Sequence, residues 1–131
     1  MNREIKFRCW DKESKLMTNE PHLDVQYGNL TSGYDCEIIM QFTGLKDRTG
    51  ADIYEGDILS GYRKGSNSDI KYTGFIKWQT EQAGWIIECG KYVMEILSLA
   101  MSGDGINTNL DTFEVIGNIY QNPELLETVK K

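Results

Sequence analysis

The chain has 131 residues, 40% of them hydrophobic and 26% charged, with a formal net charge of −6. One domain with a real core is the expectation for this length, and the ordinary apolar and charged content excludes wholesale disorder. The acidic total argues against generic nucleic-acid binding, which needs clustered cations against phosphate.

Residues 3–10, Arg-Glu-Ile-Lys-Phe-Arg-Cys-Trp, alternate strictly. Ile5, Phe7 and Cys9 fall on one face, and Lys6, Arg8 and Trp10 on the other, which predicts a strand with one wet face. The polar run Asp11–Lys15 followed by Leu16-Met17 makes 3–18 a hairpin. Residues 19–37 are loop-rich, broken by Pro21, Gly28, Asn29 and Gly33, with one short strand near Leu23–Tyr27. Glu37–Phe42 reads as a strand. Asp47-Arg48-Thr49-Gly50 has the Asp and Gly positions of a type I turn, and Ile53–Leu59 a strand with a bulge or bend at Gly56.

Residues 61–69 are a polar loop. Tyr72–Trp78 and Trp85–Cys89 flank a short loop ending at Gly84 and form a second hairpin, rich in aromatic residues for a core or cross-strand pairs. Residues 91–101 fit a helix through Val93, Ile96, Leu97, Ala100 and Met101, ended by Gly103 and Gly105, while Tyr92, Met94 and Ile96 fit a strand. Residues 113–120 read as a final strand. Asn122-Pro123-Glu124 begins a short C-terminal helix at about 123–130. The fold class expected is mainly β: a small antiparallel barrel or sandwich, an SH3-like barrel being one form, with one or two short helices.

Cys9, Cys36 and Cys89 are widely spaced and form no Cys-x-x-Cys pair, so no zinc site is expected. Each sits among apolar or aromatic residues, and buried free thiols in a reducing compartment are the expectation. The first residues carry no apolar signal region, and no apolar run reaches the roughly 18 residues of a membrane span. A cytoplasmic location follows, with no membrane partner.

Catalytic chemistry finds little material. His22 is the single histidine, in the loop-rich stretch, with no partner nearby in sequence. Gly44, Gly50 and Gly56 stand six apart and match no phosphate-binding loop. Asp52, Glu55 and Asp57 are the densest carboxylate group and could hold a divalent cation, but they fit turn shaping and amide capping around Gly56 better. No catalytic residue, metal or cofactor is expected. Residues 61–80 carry Arg63, Lys64, Lys71 and Lys77 against Asp69, interleaved with Tyr62, Tyr72 and Trp78. Cations alternating with stacking aromatics suit single-stranded nucleic acid. Residues 81–129 carry eight acids and one Lys, which suits the opposite role of imitating DNA.

Three motifs in order resemble the YopX family: Ile5–Asp11, then Met40–Asp47 with Ile53–Ile58, then Phe113–Tyr120 with Asn122-Pro123-Glu124. Gly74–Trp78 and Gly84-Trp85 add to the likeness. The resemblance implies a single mainly β domain over 1–131, found mostly in phages and prophages, with no established activity, cofactor or catalytic residue. Cys9 stands where the family often has Ala, and the 61–69 loop is longer than in many relatives. The function expected is that of a non-enzymatic phage accessory protein. It would bind an unidentified host or phage protein through some of its seven Tyr and three Trp, and self-association would protect its sheet edges.

Overall fold

The computed structural model describes residues 4–32, 36–63, 70–89, 92–95 and 113–127. The strands are β1 (Phe7–Asp11), β2 (Leu16–Thr18), β3 (Leu23–Gln26), β4 (Asn29–Ser32), β5 (Ile38–Lys46), β6 (Asp52–Tyr54), β7 (Asp57–Arg63), β8 (Ile70–Gln79), β9 (Gly84–Cys89), β10 (Tyr92–Glu95) and β11 (Glu114–Asn118). A 3-10 turn at Thr80–Gln82 and a short helix α1 (Glu124–Glu127) complete the described elements. The first sheet has the order β2-β1-β5-β6 and the second β10-β9-β8-β7-β11, while β3 and β4 form a two-stranded sheet of their own. The pairings are antiparallel. The fold is therefore mainly β, a curled half-barrel.

The core lies between the two larger sheets. Ile53 of β6 packs with Leu59, Ile76, Ile87 and Cys89 of the second sheet and with Phe113, all almost fully buried. Burying an aliphatic side chain of this size contributes about 1.5–3 kcal/mol, so this cluster does much to hold the sheets together. The chain passes from one sheet to the other in two residues, Glu55-Gly56. Gly56 donates its amide to the Ile76 carbonyl (2.8 Å) and accepts from the Ile119 amide (2.9 Å). Its φ of +88° suits glycine, and a Cβ there would stand 3.2 Å from the Met40 sulfur. Gly56 thus forms a corner between two strands, where the sequence predicts a single strand with a bulge or bend at this glycine.

The loop-rich stretch contains a complete hairpin. Tyr27 (φ 53°) and Gly28 (φ 81°) make a two-residue turn with both φ values positive, as a type I′ hairpin requires. The register sets Val25 opposite Leu30 and Gln26 opposite Asn29. Leu23, Val25 and Leu30 share one face; Asp24, Gln26, Asn29 and Thr31 share the other. Val25 is 70% exposed and Tyr27 fully exposed, so this arm turns apolar surface to solvent.

Other expectations change as well. Residues 92–95 are a strand rather than a helix, paired with β9 from Tyr92–Cys89 to Glu95–Ile86; cross-strand pairing overrides a sequence pattern that fitted both periods. Residues 61–63 extend β7 instead of opening a loop. Residues 64–69, 96–101 and 128–130 lie outside the described residues. The wet face assigned to the first strand is in fact covered, since Arg8 and Trp10 are buried along with Cys9. Nor are all three thiols free: Cys9 and Cys36 form a disulfide, with Cα atoms 5.4 Å apart, a separation that suits the bond. Glu37 donates its amide to the Trp10 carbonyl (3.1 Å), extending the β1–β5 ladder beside this bridge. Cys89 is free and buried, and burial, with Glu88 adding, pushes its thiol up to about 11.

Air-purified protein, denatured without reductant, is therefore expected to show one alkylatable thiol, and three after reduction. Three thiols before reduction would contradict the Cys9–Cys36 pairing.

Candidate functional site

The three carboxylates singled out in the sequence stand near one another but serve different partners. Asp52 accepts from Lys6 Nζ at 2.6 Å and pairs with Lys46 Nζ at 3.5 Å. The Lys6 hydrogen bond holds the Asp52 carboxyl below its usual value, and the same bond raises the Lys6 pKa. Asp57 is buried, paired with Arg8 Nη2 at 2.8 Å, and accepts from the Tyr54 amide at 2.7 Å. Burial pushes the Asp57 carboxyl up, while Arg8 and the Tyr54 amide pull it down. Glu55 Oε1 accepts from the Gln41 amide (3.4 Å), and its carbonyl from Arg8 Nη2 (3.2 Å). The Arg8 guanidinium lies 4.8 Å from the Tyr54 ring centroid. Each carboxylate is therefore committed to a cation or an amide. Among the described residues no three His, Cys, Asp or Glu side chains gather to hold a metal ion.

Two polar residues do more than their sequence context suggested. Asp47, expected only to open a turn, is buried. Its Oδ1 accepts from the Thr49 amide (2.8 Å), the Thr49 hydroxyl (2.7 Å) and the Ala51 amide (3.0 Å). Its Oδ2 accepts from the Val115 amide at 2.8 Å, so a turn residue also anchors β11. Asn118 Oδ1 accepts from the amides of Tyr120 (3.1 Å) and Gln121 (2.9 Å) where the chain leaves β11. The Asp-x-Thr spacing signals the turn; nothing local signals the reach to β11.

The basic segment separates its parts. Along β8, Lys71 and Lys77 occupy one face, while Tyr72, Ile76 and Trp78 occupy the other. Tyr72 packs against the core cluster. Lys77 pairs with Glu88 at 3.5 Å, Arg63 stands opposite Ile70 in register, and Lys64 lies outside the described residues. The separation therefore holds for the two lysines of β8, which lie on the face opposite Tyr72 and Trp78. His22 is exposed.

A concavity lies where the two larger sheets meet. A cleft of about 230 Å³ is lined by Glu4, by Gln41–Gly44 of β5, and by Trp78 and Trp85. The indoles meet edge to face, with centroids 5.2 Å apart and planes at 78°.

Residues 6–127 match the family model described as YopX protein. The chain belongs to the YopX family. This YopX chain is also similar to a solved structure, protein EF1440 from Enterococcus faecalis. The two are 26% identical, with a TM-score of 0.60, over 95% of this chain and 99% of that one. No curated protein matches the chain. The turn at Asp47 and the corner at Gly56 both fall within the span matched to the YopX family.

Asp47 gives this YopX fold a testable pH signature. Burial opposes its charge, but the Thr49 hydroxyl and the Val115, Ala51 and Thr49 amides outweigh burial and hold its pKa below 3.8. A folded-state value below the unfolded one gives stability that is complete above pH 3.8 and lost as pH falls through the folded value. Asp47→Asn leaves the Val115 amide without its carboxylate and is expected to cost about 2 kcal/mol at neutral pH. The gap from wild type in urea unfolding should close as the pH drops below 3.8. A gap that stays constant with pH would contradict this assignment.

Proposed function

We propose that this YopX protein is a non-enzymatic phage or prophage accessory protein, and that it acts by binding another protein through the β3–β4 arm. The observation that carries this reading is the exposed apolar face of the arm, with Val25 opposite Leu30 and Tyr27 at the tip. A two-stranded hairpin on its own is marginal in water, and exposed aromatic and branched side chains on a hairpin suit an interface. The committed partners of Asp52, Glu55 and Asp57 support a framework role for those acids.

The bacterial cytoplasm is the proposed location. No helix among the described residues is long and apolar enough to cross a membrane. The Cys9–Cys36 disulfide leaves Cys89 as the one free thiol, so the thiol argument for a reducing compartment no longer supports this location.

A photo-crosslinking residue placed at Tyr27, in cells that produce the protein, tests the arm. The reading expects one defined protein adduct that disappears when Val25 and Leu30 are both replaced by Ser, with the thermal midpoint little changed. Adducts that persist in the Ser variant, or no adduct at all, would overturn it.

A further inference from the structure

The cleft between the sheets has a chemistry of its own. Trp78 and Ile76 share the core-facing side of β8, but Trp78 lies at the strand's end and is 45% exposed. Trp85 stands opposite it in register on β9 and packs against the core cluster. The core thus continues outward as two indoles that reach solvent where the sheets part. Across from them stands β5, where Phe42 is buried. Glu4 is the one formally charged residue in the lining. Its side chain is 64% exposed.

We propose that this cleft binds an arginine side chain of a partner protein. Aromatic faces attract a guanidinium through the ring quadrupole, and the planar cation stacks on indole better than an ammonium does. A carboxylate at the mouth complements the same charge. The cleft's volume of about 230 Å³ admits one long side chain rather than a folded element.

Lys6 already shows that this neighbourhood tolerates a cation, since its ammonium lies 4.5 Å from the Phe42 ring centroid. Lys6 is held more tightly by Asp52, at 2.6 Å, than by Glu4, at 3.1 Å. An incoming guanidinium can therefore take Glu4 while Lys6 keeps Asp52. Among the uncharged lining groups, Thr43 is a poor competitor for the role. Thr43 donates its hydroxyl to the Ile53 carbonyl (2.8 Å) and accepts from the Leu45 amide (3.2 Å), so it has little capacity left for a neutral polyol.

The inference rests on the reading that the protein acts by binding a protein partner. Its test uses the isolated chain and does not involve the β3–β4 arm. The 15N-labelled protein is titrated with N-acetyl-arginine amide, and the three indole N–H signals are followed. Trp78 and Trp85 are expected to shift with half-saturation on the order of millimolar, as suits a single side chain, while Trp10 stays still. N-acetyl-citrulline amide, neutral and of the same shape, should shift them at least about tenfold less. Trp78→Ala and Glu4→Gln should each weaken the arginine response about threefold or more; both positions are exposed enough for the fold to survive.

Equal shifts with citrulline, or shifts with a neutral disaccharide but none with arginine, would overturn the proposal. So would a response centred on Trp10. If arginine binds but the Tyr27 crosslink fails, the cleft stands and the arm does not; the reverse pattern removes the cleft alone.

Discussion

The ion pair between Arg8 and Asp57 is the constraint around which the rest is arranged. It joins β1 of the first sheet to β7 of the second at 2.8 Å, with side chains only 9% and 2% exposed. Two charges taken that far out of water carry a large desolvation cost, which is recovered only with close geometry and further hydrogen bonds. Those bonds are present: Asp57 takes the Tyr54 amide, and Arg8 takes the Glu55 carbonyl. Both lie beside the Gly56 corner, where the chain leaves one sheet for the other. Arg8 Nε finds no hydrogen-bond partner among the described residues, so the pair acts less as a surplus of stability than as a fixed point for the corner's geometry.

From that point the framework spreads by backbone capping. Asp47 ties the β5–β6 turn to β11, Asn118 holds the exit from β11, and Gly56 connects to Ile76 and Ile119. In the middle of the sequence Asp47, Glu55, Asp57 and Gly56 hold backbone, and Asp52 holds the Lys6 and Lys46 ammonium groups. The surfaces proposed for recognition lie elsewhere, on the apolar side of the β3–β4 arm and in the aromatic cleft.

The sequence made some of this legible and hid the rest for physical reasons. The β8–β9 hairpin was visible because Trp78, Trp85 and Ile87 alternate around a glycine-closed loop, and the Asp47 turn because Asp, Thr and Gly stand where such a turn needs them. The burial of Arg8 is not legible in the sequence, because period two shows that a residue faces away from its neighbour, not whether a second layer covers that face. Its partner lies 49 positions on, and such a distance has no local signature. The Cys9–Cys36 bond, 27 residues apart, was hidden in the same way. The arm was half seen: Gly28 marked a turn, but Tyr27 in a left-handed conformation is an unusual choice that no rule of thumb selects. The separation of Lys71 and Lys77 from Tyr72 and Trp78 follows from strand alternation once Tyr72–Trp78 is read as a strand.

A double-mutant cycle on Arg8→Met and Asp57→Asn, read by urea unfolding at neutral pH, tests the central claim most directly. If the pair fixes the corner, each single change orphans a buried group, the double variant recovers much of the loss, and the coupling is about 2 kcal/mol or more. Losses that add to within about 0.5 kcal/mol would mean the two residues act independently, and the account of the corner would be wrong.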